Sequence, residues 1–370
     1  MRNKKSAFVL LMILCSVWVA VVNAGTAETE VTTDSSFVFS QVEYQNVTAY
    51  TGDIILDGTD VMLIKDAKLE LNGGLLMRGD STLILDNAEL YPAFGRWQES
   101  YELHDNAKIV MKRGSSIGSG IFNFRLYDNS LLDVTNSKVE KSVEGMDTGI
   151  RIQSFGSYFR VLSMLIGGVL EMHNSSAQVV GCDGDSQIVN STIDELTVDQ
   201  NARIVDSQIK SLTVRGGNGQ APHPLSCYLI NSTYGNLNKD AFDKGTLYVG
   251  WHLNVTVEDA GQIVKGAKVE VYYVTNGSLA QQKVTSSDGK AQFDLVEWKL
   301  TELGNQYVGD YRIKASYGTT ETQTITLTSS QELVISESST TWIILPVILV
   351  AALVIIVCVK RLPKNSTHAY

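Results

Sequence analysis

Apolar and polar residues alternate along much of this chain, and between residues 186 and 239 the alternation repeats three times. The repeats begin at Ser186, Ala202 and Cys227, and they read SQIVNSTIDELTV, ARIVDSQIKSLTV and CYLINSTYGNLNK. Such alternation predicts short β-strands with one inward face. A coil this short cannot bury its own apolar face, so the repeat predicts a stack of β-strand coils.

A six-residue motif recurs along this region: an apolar residue, any residue, Asn or Asp, Ser or Ala, any residue, and a second apolar or small residue. Its copies begin at Leu85, Val134, Met172, Ile188, Ile204 and Leu229. Asn, Asp and Ser accept turn conformations and bond to nearby backbone, so we expect a turn in each copy. The apolar residues should point inward and stack from coil to coil. The predicted stacks are Ile188 on Ile204 on Leu229, and Leu196 on Leu212 on Leu237.

On these repeats, residues 37–243 resemble a right-handed parallel β-helix of the pectin-lyase-like type. The resemblance implies an all-β fold without implying an activity, because this scaffold carries enzymes, adhesins and inert stalks. Long insertions on such a stack are the usual place for binding. They fall at residues 91–103, 140–168 and 216–226.

The pattern changes at residues 246–336, which resemble the carboxypeptidase regulatory-like domain, a small transthyretin-like β-sandwich. The matching features are Gly261 in a turn, Gly266-Ala267 before a strand, Asp288-Gly289 between alternating strands, and Tyr311 at the start of another. The chain departs from that family at Ile263, where a proline is usual, and in the long connection at residues 297–308. The resemblance implies a non-catalytic spacer or binding module.

Both ends of the chain predict membrane targeting. Residues 1–24 have a basic start and an apolar core, which predicts a signal peptide, with an uncleaved anchor as the alternative. Residues 25–36 predict a flexible leader. Residues 342–359 form an uncharged apolar run of 18 residues, and at about 1.5 Å per residue a helix of this length crosses a bilayer. Basic residues in the tail, 360–370, place that tail in the cytoplasm. We therefore expect a single-pass type I protein, with a buried soluble helix as the alternative.

The predicted ectodomain is strongly acidic. All 40 acidic residues lie between the two apolar segments, and 24 of the 30 basic residues lie there with them, so the formal charge is 24 − 40 = −16. Such a surface repels phosphate backbones and excludes nucleic acid as a partner. It is compatible with cation binding, so Ca²⁺ is the one cofactor left open, and no metal-ligand spacing is present among the histidines.

Cysteines and sequons add two expectations. Cys182 and Cys227 lie about two coils apart, roughly 10 Å at the usual strand spacing, which is too far for an easy disulfide. The sequons at Asn46, Asn254 and Asn276 predict glycosylation. Those at Asn174, Asn190 and Asn231 share one repeat position, and there we expect the amides to bond to adjacent coils instead.

An aromatic insertion is the predicted ligand-binding site. Tyr91, Phe94, Trp97 and Tyr101 lie together with charged residues among them. Aromatic rings can lie on the apolar faces of sugars while charged neighbours bond hydroxyls. The alternative is that these rings cap the open end of an early coil.

Carboxylates support a competing, catalytic interpretation. Asp183, Asp185, Asp199 and Asp206 lie within a few coils, with Arg203 nearby. Polysaccharide lyases and hydrolases on this scaffold place acidic and basic side chains on one face, and a carboxylate pair must lie about 5–9 Å apart. The alternative is that these aspartates are turn residues or part of a solvated surface.

From these observations we predict a cell-surface binding, adhesion or envelope-structure protein, directed toward glycans or neighbouring surface proteins. Few cysteines, acidity and a type I layout are typical of archaeal envelope proteins. An anchored polysaccharide lyase or hydrolase is the competing class, and a passive stalk is a third. A cluster of acidic and basic side chains on an open face of the coils would favour the enzyme over the binding protein, whereas a passive stalk predicts no groove at all.

Overall fold

We describe a computed structural model of the 370-residue chain. It describes residues 31–32, 37–38, 41–44, 49–92, 100–118, 123–215, 226–238 and 245–336, and within these ranges every regular element is a β-strand. The described residues divide into two units. Unit 1 runs up to Gly250 and includes Val296–Tyr307, whereas unit 2 takes Trp251–Leu295 and the described residues from Val308 onwards.

The first 26 strands all belong to unit 1. They are β1 Val31–Thr32, β2 Phe37–Val38, β3 Gln41–Tyr44, β4 Ala49–Thr51, β5 Ile54–Leu56, β6 Val61–Lys65, β7 Lys68–Asn72, β8 Leu75–Met77, β9 Thr82–Asp86, β10 Glu89–Pro92, β11 Tyr101–Leu103, β12 Lys108–Lys112, β13 Ser116–Ile117, β14 Phe124–Leu126, β15 Leu131–Thr135, β16 Lys138–Gly145, β17 Arg151–Phe155, β18 Tyr158–Met164, β19 Val169–His173, β20 Ser176–Cys182, β21 Asp185–Val189, β22 Thr192–Val198, β23 Ala202–Val205, β24 Gln208–Val214, β25 Ser226–Ile230 and β26 Thr233–Asn238.

Nine further strands complete the described chain. They are β27 Thr246–Asp259, β28 Gln262–Ile263, β29 Lys268–Tyr273, β30 Leu279–Val284, β31 Lys290–Thr301, β32 Gly304–Tyr307, β33 Asp310–Ser316, β34 Thr320–Thr326 and β35 Gln331–Ser336.

Unit 1 is a parallel β-solenoid of about nine turns. Successive coils add strands to two sheets. Sheet A contains two ladders in the early coils, one through β4, β7, β10 and β13 and one through β5, β8, β11 and β14. Strand β16 pairs with both β13 and β14, so the ladders join there, and later coils give sheet A one long strand each. Sheet B takes one strand per coil, from β3 to the start of β27.

The predicted stacking of apolar residues is confirmed. In sheet B, Ile188 pairs with Ile204 and Ile204 with Leu229. In sheet A, Leu196 pairs with Leu212, which pairs in turn with Leu237. Alternation places these side chains inside, because successive side chains of a strand point to opposite faces. The result is one continuous core along the solenoid.

The turn from sheet B to sheet A, which we call the asparagine corner, explains the six-residue motif. Its central residues have φ between 47° and 53°, in the left-handed region that Asn and Asp tolerate best. They are Asp66, Asn87, Asn136, Asn174, Asn190, Asp206 and Asn231. Gly156 takes this position in one coil.

A ladder of buried serines follows the asparagine corner. The Oγ of Ser191 accepts the backbone N–H of Ser175 at 3.2 Å and donates to the carbonyl of Val189 at 2.9 Å. In the next coil, the Oγ of Ser207 accepts the backbone N–H of Ser191 at 3.0 Å. The hydroxyls therefore satisfy backbone N–H groups that the tight turn removes from the sheets, and a buried N–H without a partner is costly.

A hairpin from later in the chain belongs to unit 1. It comprises β32 and the end of β31, with Trp298 paired to Tyr307. Leu300 joins the core of the solenoid, and Trp298 packs on that core together with Tyr234 and Leu237 of the last complete coil. This explains the long connection at residues 297–308, since its residues cover apolar surface of unit 1.

Unit 2 has its own core, which includes Phe293, Tyr311 and Ile313. Strands β30, β29, β33 and β34 form an antiparallel sheet in that order. The second half of β27 pairs with β28 and β35. The turn expected at Asp288-Gly289 forms, closed by a bond from the Ser286 N–H to the Lys290 carbonyl. It joins strands of different sheets, however, because β30 pairs with β29 rather than with β31.

Candidate functional site

Three charged residues form a row on the outer face of sheet A. Glu102 of β11 pairs with Arg125 of β14, which pairs with Glu144 of β16. Each lies between inward-facing neighbours, as in Tyr101-Glu102-Leu103, so strand alternation directs the charge outward. Parallel pairing without offset then places the three side chains one above another, about 4.8 Å apart per coil. We call this set the charged row.

Neighbouring side chains hold the charged row in place. The Nε of Arg125 lies 3.4 Å from Oε2 of Glu144, and Asn123 donates to the other oxygen of that carboxylate. Ser100 Oγ donates to Oε1 of Glu102 at 2.8 Å. The carboxylates are therefore oriented before any ligand arrives.

An aromatic pair borders the charged row where the chain leaves sheet A. The rings of His104 and Tyr127 are stacked, with centroids 4.5 Å apart and planes 2° from parallel. His104 Nε2 lies 3.3 Å from Oε2 of Glu102, and its Nδ1 lies 3.8 Å from Oδ2 of Asp128. The histidine thus links the charged row to the next turn.

The surroundings of Glu102 and Arg125 favour the ionised form of each side chain. Burial opposes ionisation of Glu102, but hydrogen bonds from Ser100 and His104 and the nearby positive charge outweigh it and lower the pKa of Glu102. The hydrogen bond with Glu144 raises the pKa of Arg125. A general acid or base needs a pKa near the working pH. Glu102 and Arg125 are shifted away from neutrality, which suits binding better than proton transfer.

A pocket of about 220 Å³ opens beside Glu102. Ser100 and Asp53 contribute polar groups to it, and Ile55 and Leu76 form an apolar wall. The backbone N–H of Gly74 donates to Oδ1 of Asp53 at 2.8 Å, which fixes that carboxylate at the rim. Apolar wall and oriented polar groups together are the usual composition of a small-ligand site.

The structure describes two of the four residues of the predicted aromatic site, Tyr91 and Tyr101. Tyr101 is only 1 % exposed and packs edge-on against Phe124, 6.4 Å between centroids, so it belongs to the core. Tyr91 is half-buried in β10. Phe94 and Trp97 lie outside the described residues.

Two of the predicted carboxylates do come together. Asp199 follows Asp183 by one coil, as shown by the 2.8 Å bond from the Asp199 N–H to the Cys182 carbonyl, and Arg215 takes the same position in the next coil. Gln200 donates to Asp183 at 2.9 Å. Burial raises the pKa of Asp199, Arg215 opposes this, and the charge of Asp183 adds to the increase.

The other candidates for catalysis lie elsewhere. Asp185 is exposed at the start of β21. Asp206 lies at the asparagine corner, where it accepts the Asn231 amide at 2.6 Å. Arg203 is in β23, in register with Gln187 and Tyr228.

The described sequons occupy two kinds of position in the fold. At the asparagine corner the side-chain amide of Asn190 donates to Oδ1 of Asn174 at 2.5 Å, so this amide links two adjacent coils. Asn276 is exposed in the turn between β29 and β30, where its Oδ1 accepts the N–H of Ser278 at 2.9 Å. Asn254 is half-buried in β27, in register with Glu332. Asn46 lies outside the described residues.

Cysteine and metal chemistry add little to this site. Cys182 and Cys227 are buried free thiols. Burial raises the pKa of Cys182 to about 12 and also raises that of Cys227. Within the described ranges, no group of three or more His, Cys, Asp or Glu residues is arranged to hold a metal ion.

No protein-family model matches the chain, and no curated protein matches it at a significant level. The described residues contain no helix with the length and apolar character needed to cross a bilayer, and the predicted span at 342–359 lies outside them. Unit 1 is a parallel β-solenoid with the charged row on one outer face.

Sequence reasoning missed Arg125 and Glu144, and it included Glu102 only as one of the charged residues in the aromatic insertion. Each is a charged residue whose two neighbours on its strand face inward, and that pattern is the signal that could have found them. It was hidden because the early coils differ in length, so no fixed period connects the three residues.

Proposed function

We propose that this protein is a cell-surface glycan-binding solenoid and that the charged row beside the 220 Å³ pocket is its binding site. The observation that carries the proposal is the oriented set Glu102, Arg125 and Glu144 on one open face. Carboxylates accept hydrogen bonds from sugar hydroxyls, and a guanidinium donates to hydroxyl or carboxylate oxygens. The apolar wall at Ile55 and Leu76 suits the C–H face of a sugar ring.

The remaining parts of the chain are consistent with a surface role. The repeats resemble right-handed pectin-lyase-like β-helices, and residues 246–336 resemble a carboxypeptidase regulatory-like β-sandwich, which would serve as a spacer. A signal peptide at 1–24 and a membrane span at 342–359 would anchor the protein as type I, with the solenoid outside. Such a layout is typical of archaeal envelope proteins, and Asn276 would be a glycan acceptor on that outer part.

The test uses the full chain, purified in mild detergent, on an array of neutral and acidic oligosaccharides. Glu102→Gln preserves the shape of the side chain and removes its charge. We expect it to weaken binding of any captured glycan about tenfold, the typical loss for one charge-assisted hydrogen bond. The matched control is Glu195→Gln, an exposed glutamate elsewhere on sheet A. Capture of no glycan, or equal loss in both variants, would contradict the proposal.

A second candidate function, glycoside hydrolysis, is favoured by Asp183 and Asp199. Adjacent coils are about 4.8 Å apart, which can hold two carboxyl groups within the range of about 5–9 Å used by glycosidases. The raised pKa of Asp199 suits a proton donor, with Asp183 as the second carboxyl group. Release of reducing ends from polysaccharides, abolished by Asp199→Asn and retained in Asp185→Asn, would support this function. No release from any polysaccharide on the array would reject it.

A further inference from the structure

The outer side of sheet B is apolar in its early coils. Leu63 of β6 pairs with Ile84 of β9, and Ile84 pairs with Val110 of β12. Each lies between inward-facing neighbours, as in Met62-Leu63-Ile64, so strand alternation turns these side chains outward, where they are half-buried. Leu131 adds a further apolar group in the next coil. Of the described strands, only neighbours in sheet B pack extensively against β9 and β12. We call this surface the aliphatic face.

Basic side chains border the aliphatic face. Lys108 and Lys112 flank Val110 on β12, and both are exposed. Asp86 of β9 lies in register with Lys112 and pairs with it, Nζ and Oδ2 being 3.5 Å apart. Across strands β6, β9, β12, β15 and β17, the cations are Lys65, Lys108, Lys112 and Arg151, and the carboxylates are Asp86 and Asp133. The aliphatic face is therefore positive on balance, although the chain as a whole has a net charge of −10.

A row of aspartates runs along the turn from sheet A to sheet B. The backbone N–H of Asp105 donates to Oδ2 of Asp128 at 2.9 Å, and the N–H of Asp128 donates to Oδ2 of Asp147 at 3.1 Å. These bonds hold the carboxylates in successive coils, about 4.8 Å apart. Leu165 and Ile166 lie one coil further on, because the Leu165 N–H donates to the Gly145 carbonyl, and they are 44 % and 53 % exposed. We call these five residues the acidic corner.

The aliphatic face and the acidic corner are complementary. Each combines apolar side chains with charges of one predominant sign, and in each the charges recur at the spacing of the coils. Two solenoids lying side by side can therefore place aspartates against Lys108 and apolar groups against Ile84. Contact between two aliphatic faces would bring cations together, and contact between two acidic corners would bring carboxylates together. Like charges across an interface are costly, so charge favours contact between unlike surfaces.

We propose that the aliphatic face of one copy of this chain binds the acidic corner of a second copy. Such a contact is heterologous, because it joins different surfaces of identical chains. Each dimer retains one unused surface of each kind, so the assembly continues beyond two copies. The inference goes beyond the proposed glycan binding and does not depend on it, because neither surface includes Glu102 or the residues that line its pocket.

The test is sedimentation velocity of the full chain, purified in mild detergent, over a range of protein concentrations. We expect oligomers larger than a dimer, which dissociate in 1 M NaCl, where the screening length falls to about 3 Å. Lys108→Glu changes the aliphatic face, and Ile166→Lys changes the acidic corner. Both residues are exposed, so the variants should keep the fold. Each should weaken association by about tenfold or more, since each places like charges across the contact.

Mixing the two variants tests the heterologous arrangement. Lys108→Glu retains its acidic corner and Ile166→Lys retains its aliphatic face, so an equimolar mixture should form dimers and nothing larger. A dimer that used one surface twice would not be restored by mixing.

Two further variants serve as controls. Lys210→Glu makes the same change of charge at an exposed position in a later coil and should associate like the unaltered chain. Glu102→Gln should do the same, so a failure of the glycan site leaves this result intact. The inference is overturned if the chain is monomeric at every concentration, which would assign the aliphatic face to a different acidic partner. It is also overturned if the mixture gives no dimer, or if Lys210→Glu weakens association as much as Lys108→Glu.

Discussion

The Nζ atom of Lys141 lies 4.3 Å from the centroid of the Tyr101 ring, inside the core of the solenoid. Lys141 is 1 % exposed. It lies in β16, where the register with β18 shifts between Val139 and Ser142. The extra residue of a β-bulge re-aims a side chain, and here the bulge accompanies a lysine that points inward. The ring of Tyr101 is the one partner of the ammonium group that the described residues show.

Lys141 should make stability depend on pH. Burial lowers its pKa from 10.5 to about 8. Between these values the unfolded chain binds the proton that the folded protein has released, so the free energy of unfolding should rise as pH increases. Below pH 8 both states are protonated and this contribution is flat. Urea unfolding at several pH values from 7 to 10 measures the effect.

The control for this prediction is Lys141→Met, which keeps a long side chain and removes the charge. It should stabilise the protein near pH 7 by up to about 3 kcal/mol, the free energy that corresponds to a pKa change of this size. It should also lack the rise above pH 8. Identical pH profiles for the two proteins would show that Lys141 is not buried as a cation.

Ile204→Asp should unfold or severely destabilise unit 1. Ile204 lies in the core between Ile188 and Leu229, and a buried carboxylate without a partner costs several kcal/mol. Lys210→Asp adds a carboxylate at an exposed position of the same coil and should change the melting temperature little. Equal melting of both variants would contradict the coil register.

Ser191→Ala should destabilise the solenoid by about 1–3 kcal/mol, because it leaves the buried N–H of Ser175 without an acceptor. Gln208→Ala, which removes an exposed side chain nearby, is the control. Chemical denaturation of both variants measures the difference. A loss at Ser191 no larger than at Gln208 would mean that the serine ladder contributes no net stability.

Cys182 and Cys227 should resist alkylation at pH 8 in the folded protein. Both are buried, and the raised pKa of each thiol leaves almost no thiolate. In urea without reductant both should react at once, since they are not bridged. Mass mapping of the labelled peptides gives the result. Labelling before unfolding would show that the thiols are accessible, and a need for reductant would show that they are bridged.

In the regular half of the solenoid, the sequence alone was sufficient to predict which residues stack from coil to coil. Ile188, Ile204 and Leu229 could be aligned because each lies in the same short motif, two residues before a turn residue in the left-handed conformation. That conformation favours Asn and Asp, so the turn can be recognised in the sequence by these residues. Because this turn motif repeats in successive coils, one sequence is enough to predict the solenoid fold.

No recurring sequence motif marks the candidate functional residues. Glu102 and Arg125 meet only because coils of different length return to the same register, which is a property of the stack. Tyr101 looked like a surface aromatic because its neighbours in sequence are polar, yet strand alternation turns its ring inward. Lys141 was missed for the opposite reason, since a lysine inside a strand is normally outward-facing.

Leu300→Asp should destabilise unit 1 although it lies 62 residues beyond the end of β26 (300 − 238). Leu300 is buried in the solenoid core, so a charge there exposes that core to water. Leu303→Asp is the matched control, because Leu303 is 93 % exposed in the same hairpin. Limited proteolysis should cut residues 226–238 faster in Leu300→Asp alone. Equal cutting in both variants would show that the hairpin does not protect the last coil.

The hairpin at Val296–Tyr307 also constrains how this protein could evolve. The segment after Gly250 looks in sequence like a module that recombination could exchange as one block. Such an exchange would carry away the covering of the last coil and leave its apolar surface exposed, which favours aggregation. Gene fusions that keep the solenoid should therefore also keep this hairpin, and a designer who wants to transplant the solenoid must transplant it too.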